Sequence, residues 1–390
     1  MKKIFILSSL ILSTVFSAQT LIPAYQTRAN SVSQTNLNNG LQEFVNLGVK
    51  TTGNANNNNA FVWLQTKYAS FGYTASQMSE DIFTYNGNQS KNLIVTKTGT
   101  TYPNTFVIVC SHYDTKNGVG ANDNGSGTNT LLEIARILKN VATEYSIKFI
   151  HFSGEEQGLV GSNHYVNNVV NATSPKMDIR VVFNIDQVGG RAGQNLNSIV
   201  CERDTNNNPP TNNAASSVIT QELMNCVSLY SPLTPTLSYA YASDYIPFQN
   251  NNEVITGFYE QNGSSNPHPH TVSDIISNMD PVYLYNVTKA ATGAVQHFAV
   301  ASSVLSTDES NISSELGFTV SPSPAREIIE LTVNKKIKDF TFTVTDMSGK
   351  LVKKVQNKKS ISVADLPNGT YIGSLESEEK QSSLKFIVKH

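Results

Sequence analysis

The sequence predicts an α/β domain, a mostly parallel mixed sheet flanked by helices, followed by a small all-β sandwich. Apolar runs at Leu93 to Val95, Phe106 to Cys110, Ile147 to Phe152 and Val181 to Ile185 are bounded by polar turns and read as buried strands. Between the second and third, Leu131, Leu132, Ile134, Ala135, Ile137 and Leu138 recur at helical spacing, as a strand–helix–strand unit requires. After Phe318 the apolar period falls to two, with a turn signal every 10 to 15 residues.

The elements follow in chain order. Lys2 and Lys3 precede an apolar run from Ile4 to Phe16 and the small-residue site Ser17-Ala18-Gln19, so residues 1–18 read as a signal peptide cleaved after Ala18. A membrane span needs roughly 20 apolar residues. This run is shorter and no other segment approaches that length, so no transmembrane helix is expected. The α/β domain is assigned to 19–305, with helices at Ala60 to Phe71, Ala214 to Leu229 and Pro281 to Ala301 beside the one containing Leu131. Residues 306–324 read as a linker, because Val320-Ser321-Pro322-Ser323-Pro324 favours extended backbone. The sandwich occupies 325–390, with strands at Ile328 to Val333, Phe340 to Val344, Leu351 to Val355 and from Tyr371 onward.

Composition limits the function. A length of 390 residues allows two or three units, and a formal charge of −2 gives no support for a nucleic-acid partner. Charged residues are only 15% of the chain while asparagines number 43, so amides and hydroxyls solvate the surface, as in an extracellular protein. From Phe318 to His390, 12 Lys and Arg oppose 8 Asp and Glu, a balance of +4, which leaves −6 for the preceding part. Two units with different surfaces follow. Of three cysteines, Cys201 and Cys226 are candidates for a pair, and Cys110 lies in an apolar run expected to be buried.

In open sheets, ligands bind beyond the carboxyl ends of the strands. The residues that follow three of the expected strands are His112-Tyr113-Asp114, Gly154-Glu155-Glu156 and Asp186. A further carboxylate, Asp123, sits in Gly120-Ala121-Asn122-Asp123-Asn124-Gly125-Ser126-Gly127, whose glycines let backbone approach a ligand before the helix begins. Asp114, Asp123, Glu155, Glu156 and Asp186 in one crevice oppose joint ionisation. Positive charge must hold them. Histidine and carboxylate donors without clustered thiols suit zinc or a similar divalent ion, and two such ions balance the ligating carboxylates. His112-x-Asp114 fits a ligand with its orienter, although His-x-Asp alone is more often surface or capping chemistry. An Asx helix cap is the plainer reading of Asn122 to Asn124.

The ordered segments "HYD", "GANDNGSG", "SGEE", "NID" and "PHTVSD" closely resemble the twenty-eighth metallopeptidase family, the di-zinc aminopeptidases of the bacterial leucyl aminopeptidase type, over about Asn92 to Ala301. The resemblance implies a zinc exopeptidase fold of the phosphorylase/hydrolase-like kind. It implies one zinc on His112, Asp123 and Asp186 and another on Asp123, Glu156 and His270, with Asp123 bridging and a cis peptide after it. It further implies Glu155 as general base for a zinc-bridging water, Asp114 in support, and peptide substrates with a free N-terminus. His268 remains the alternative to His270, which is preferred because Thr271 and Asp274 match the family pattern. The family's oxyanion tyrosine aligns with Ala240, so substrate binding is expected from Tyr241 or Tyr239, which packing explains equally well. His151, His164 and His297 read as structural. Phe248, Phe258 and Tyr259 read as either pocket wall or core.

"SPSPAREIIELTV", "FTVTDMSGKLVKK", "ISVADLPNGTYIGSL" and "KFIVKH" closely resemble the carboxy-terminal sorting domain of the type IX secretion system. That implies a secreted or surface-attached protein that uses a Sec signal and then the type IX machinery; an ordinary adhesive β module is the plainer alternative. Two other functions compete for the α/β domain. Glutaminyl cyclase shares the fold and a similar His-Tyr-Asp segment but uses a single zinc, and a receptor or adhesin would lack ligands. Neither Gly-x-Ser-x-Gly nor His-Glu-x-x-His occurs. The short spacings between ligand segments leave no room for a lid or dimerisation domain, so a monomer is expected.

Overall fold

The site is set by three adjacent strands, β3 (Tyr102–His112), β4 (Tyr145–Phe152) and β5 (Asp178–Ile185), paired in parallel with β3 in the middle. The computed structural model describes residues 19–204, 209–305, 318–333, 337, 339–346, 350–377 and 380–390. The expected signal peptide, and 306–317 of the expected linker, lie outside the described residues.

Eight strands form the main sheet in the order β1-β2-β4-β3-β5-β8-β6-β7, where β1 is Met78–Tyr85, β2 Asn88–Lys97, β6 Ser198–Arg203, β7 Thr234–Tyr239 and β8 Ile255–Glu260. Pairing is parallel for β4-β3, β3-β5, β5-β8 and β6-β7 and antiparallel for β1-β2, β2-β4 and β8-β6, a mixed, mostly parallel sheet as expected. Burial on both faces explains the uninterrupted apolar runs. In β3, Val107 and Val109 enter one core while Ile108 and Cys110 enter the other; in β4, Ile147 and Phe149 oppose Ile150 and Phe152.

The larger core is covered by α1 (Pro23–Asn30), α2 (Gln34–Asn46), α3 (Ala55–Ser70), α4 (Gly125–Leu138), α6 (Asn213–Tyr230) and α8 (Pro281–Phe298). The other face carries the short helices α5 (Val160–Tyr165) and α7 (Ile246–Asn250). Helix α4 starts where the Asn124 side chain accepts the Gly127 N–H at 2.9 Å. It packs on β3, α2 and α8 with nearly every residue buried. Sequence periodicity missed α1 and α2, whose cores are thin among amides, and also β1, β6, β7 and β8. The β7 segment TPTLSY lies at the sheet edge, exposed along nearly its whole length, so it shows no alternation.

The histidines expected to be structural pack as such. His297 meets the Tyr230 hydroxyl at 2.8 Å and His164 meets Asp81 at 2.9 Å. His151 is fully buried, 2.9 Å from the Tyr68 hydroxyl, and burial pushes its pKa down to about 3. Its unfolded value is about 6.5, so the unfolded chain binds the extra proton first as pH falls. Stability held above pH 6.5 is therefore lost toward pH 3, by about 1.4 kcal/mol per pH unit from this residue. Urea titrations at pH 7 and 5 on wild type and His151→Gln test this: the variant loses that share of the pH slope, and equal slopes would refute it.

Beyond the main domain, β9 (Phe318–Ser321), β10 (Ile328–Val333) and β13 (Ser360–Ser362) form one sheet; β11 (Thr341–Asp346), β12 (Leu351–Gln356), β14 (Gly369–Ser377) and β15 (Lys380–Val388) form another. Their inward residues, among them Leu331, Phe342, Leu375 and Phe386, share one core. Part of the stretch read as linker is strand, because Phe318 buries against Phe342 at a ring separation of 5.7 Å and β9 pairs with β10. Cys110, Cys201 and Cys226 are all free and buried, and the Cys226 sulfur accepts a hydrogen bond from Gln19.

Candidate metal centre

The carboxyl ends of β3, β4 and β5 bring His112, the Glu155-Glu156 turn and Asp186 together. The His112 Nε2 lies 3.2 Å from Asp186 Oδ1 and 3.3 Å from Asp123 Oδ1. On the other side of Asp123, Oδ2 lies 3.1 Å from His270 Nε2, which is itself 3.0 Å from Glu156 Oε2. The result is two donor sets, His112-Asp123-Asp186 and Asp123-Glu156-His270, sharing Asp123. Donors arranged tetrahedrally on arms of 2.0–2.1 Å stand about 3.3 Å apart, and these separations match. The Glu156 Oε1 is buried without a hydrogen-bond partner, a group that a cation would satisfy. The donors are imidazole and carboxylate, a set that zinc accepts. The residues fit the group.

Local structure aims each donor. The His112 Nδ1 is 3.1 Å from the Asp114 backbone carbonyl, which fixes its N–H there and leaves Nε2 for a cation. The expected partner, the Asp114 carboxylate, is further away at 3.6 Å. That carboxylate instead accepts the backbone N–H groups of Glu155 and Glu156, both at 3.3 Å, and the Thr52 hydroxyl at 3.2 Å. Asp114 thus holds the backbone that presents the two glutamates. Asp186 accepts the Ser243 hydroxyl at 2.6 Å, and Ser243 accepts from Asn184 at 2.9 Å. Asp274 takes the N–H groups of Asn122 and Asp123 at 2.8 and 3.0 Å, clamping the segment next to the cis peptide Asp123-Asn124.

His270 is 48% exposed, at a positive φ of 61°, and its side chain reaches the carboxylates. The competing His268 turns its Nδ1 to the Ser273 hydroxyl at 2.9 Å and braces the loop. Tyr241 lines the cavity beside the donors, whereas Tyr239 is absent from its walls and accepts from Arg203 at 3.0 Å. Of the aromatic candidates, Phe248 and Phe258 are core and Tyr259 lines the cavity. Sequence reasoning missed Thr52 and Ser243 as supports, since nothing in their own segments marks a bond to a carboxylate distant in sequence.

Charge crowding is severe. Bonds to Asp123 and Glu156 raise the His270 pKa to about 10. Burial lowers the His112 value, but the Asp186 and Glu155 charges outweigh it and hold the ring well above its usual range. Burial raises Glu155 well above the usual carboxylate range, with Asp186, Asp244 and Asp114 adding to the shift. Asp123 is pulled down against its burial, by the two imidazoles. A divalent cation placed among these groups would relieve that crowding, with release of the protons they hold.

Residues 92–295 match Peptidase family M28, and residues 319–389 match the secretion system C-terminal sorting domain. Aminopeptidase YwaD of Bacillus subtilis is 46% identical over 85 residues, 22% of this chain and 18% of that protein, so the match spans less than a fifth of the relative's length. The Legionella pneumophila LapA aminopeptidase structure superposes with a TM-score of 0.62 at 20% identity, covering 77% of this chain and 79% of that one. A Bacteroides thetaiotaomicron glutaminyl cyclase gives 0.55 at 16% identity, covering 68% and 97%. At those identities the two structures establish a shared fold. The family match itself takes in β2 through most of α8, more than half the chain and every donor described above, and the chain therefore belongs to peptidase family M28, with a secretion-system sorting domain at its carboxyl end.

Proposed function

We propose that this chain is a secreted di-zinc aminopeptidase that hydrolyses the first peptide bond of substrates with a free N-terminus. The observation that carries the proposal is the pair of donor sets joined at Asp123, with Glu155 beside them at 4.0 Å from His112. Zinc bound there supplies Lewis acidity toward the scissile carbonyl and lowers the pKa of water. Glu155, whose burial raises its proton affinity, acts from its ionised form: it takes the proton from the attacking water and returns it to the leaving amine. Asp114 holds that glutamate in place through its backbone. The substrate's α-ammonium is drawn to the same carboxylates, which favours removal of terminal residues. Tyr241 contacts the substrate, a reading supported by its position on the cavity wall.

Glutaminyl cyclase is the second reading, on the strength of the shared fold. The Asp123-Glu156-His270 set favours the hydrolase, because a single-ion enzyme has no need of a second complete set. Metal analysis of the purified chain together with assays on leucyl-anilide and an N-terminal glutaminyl peptide separates the two. Two zincs per chain and anilide hydrolysis are expected; one zinc with release of pyroglutamyl peptide would overturn the proposal. The tail match supports export by the type IX route and attachment to, or release from, the cell surface.

A further inference from the structure

The cavity beside the donors has a volume of about 430 Å³, within the range of small-molecule sites. Apart from the donors and Glu155, its walls are Gln187, Tyr241, Ala242, Tyr259, Asn266 and Pro269, with Gly263 behind Tyr259. Among the described residues, leucine, isoleucine, valine, methionine and phenylalanine are absent from these walls, and so are lysine and arginine. The apolar surface of these walls comes from the tyrosine rings, Ala242 and Pro269.

The orientation of the amides is fixed from below. Glu260 is 1% exposed and accepts Gln187 Nε2 at 3.0 Å, Asn266 Nδ2 at 2.9 Å, Asn122 Nδ2 at 3.0 Å on each oxygen and the Gly190 N–H at 2.6 Å. A carboxylate only accepts, so the amide nitrogens of Gln187 and Asn266 must face it and their oxygens must face away. The Asn266 oxygen is taken by the His268 N–H at 3.2 Å. Gln187 is left with its carbonyl oxygen as the group it offers to the cavity. Tyr241 and Tyr259 meet edge to face, with ring centroids 5.3 Å apart at 60°. A Cβ at Gly263 would lie 2.5 Å from the Tyr259 Cζ, so glycine is what lets that ring lie against the loop. Beside the carboxylates that the zinc ions and the base would occupy, the cavity therefore presents the Tyr241 and Tyr259 rings and the Gln187 carbonyl oxygen. Those groups attract donors and cations.

We propose that the cavity receives the first side chain of the substrate and selects a cationic one, lysine or arginine, over leucine, with Gln187, Tyr241 and Tyr259 setting the preference and Glu260 positioning Gln187. This rests on the aminopeptidase reading above. The test uses the full chain loaded with zinc and the 7-amino-4-methylcoumarin amides of arginine, lysine, leucine and norleucine, the last matching lysine in length without its charge. The expected kcat/KM for arginine and lysine exceeds that for leucine and norleucine by about tenfold or more, and the ratio falls as salt is raised. Tyr259→Leu and Gln187→Leu each lower the arginine-to-leucine ratio at least about threefold, whereas Tyr259→Phe, which keeps the ring, preserves it. Calorimetry on the Glu155→Gln variant gives a readout apart from turnover, with Arg-Ala binding tighter than Leu-Ala. Leucine favoured over arginine, or a ratio that Tyr259→Leu leaves unchanged, overturns the selectivity while the aminopeptidase reading stands. Failure to hydrolyse any of the four amides overturns that reading and this proposal with it.

Discussion

Glu155→Gln lowers kcat by about 10²–10⁴-fold while the chain stays folded and still binds its metal. The reasoning is geometric. Glu155 contributes no atom to either donor set. Its place is fixed through its backbone N–H on Asp114 rather than through its side chain. Glutamine keeps that N–H and the side-chain volume and removes only the ability to take and return a proton. Asp123→Asn makes the opposite pattern, because Asp123 belongs to both sets. Losing one carboxylate there weakens both sites, so metal content and activity fall together. Elemental analysis beside steady-state kinetics distinguishes the two variants. Turnover within a few-fold of wild type in a metal-replete Glu155→Gln enzyme would remove Glu155 from the role of base.

Much of this centre is legible in the sequence because the donors follow from strand ends. A parallel strand buried on both faces appears as an unbroken apolar run, and the residue after it is at the ligand-binding edge by topology. His112, the Glu155-Glu156 turn and Asp186 were found that way. His270 was not, since it stands on an irregular loop in left-handed backbone with no periodic context, and the family resemblance was needed to prefer it over His268. The supporting residues are harder still. Thr52 and Ser243 act on the centre through hydroxyl bonds from segments distant in sequence, and amides such as Gln187 and Asn266 are lost among the 43 asparagines and their like. In the fold, strand positions in the tail were readable because one face of each is wet. The edge strand β7 was not, because both of its faces are.

Lys50 is the clearest case of a determinant that no motif marks, and its replacement has the largest expected effect on stability. The side chain is fully buried, and its Nζ donates to the carbonyls of Gly48 and Val119 at 2.8 Å and of Phe44 at 3.3 Å, with the Phe44 ring 3.9 Å away. Its backbone N–H donates to the Thr115 hydroxyl at 2.9 Å. One ammonium thus joins the end of α2 to the segment leading into Asp123. Lys50→Met fills the space and takes the ammonium from the Gly48 and Val119 carbonyls, while the Phe44 carbonyl keeps the Leu47 N–H; at about 1–3 kcal/mol for each carbonyl left unpaired, a total loss of about 3 kcal/mol is expected. Removing a buried charge recovers part of that where the charge is fully present, which makes the effect depend on pH. Burial pushes the Lys50 pKa down to about 7, with Asp274 opposing the shift, against about 10.4 in the unfolded chain. Between those values the unfolded chain holds the extra proton, so wild-type stability rises with pH across the window; below about pH 7 both states are protonated and the penalty is constant. Groups that do not feel the Lys50 charge titrate alike in both proteins and cancel in the difference, and Asp274, which does feel it, completes its titration near the bottom of the window. The gap between wild type and Lys50→Met therefore widens by about 1.4 kcal/mol per pH unit from pH 7 to 9, measured by urea unfolding at each pH. A gap that stays flat across that range would mean that the ammonium keeps its proton on folding, held by its three carbonyls more strongly than burial expels it.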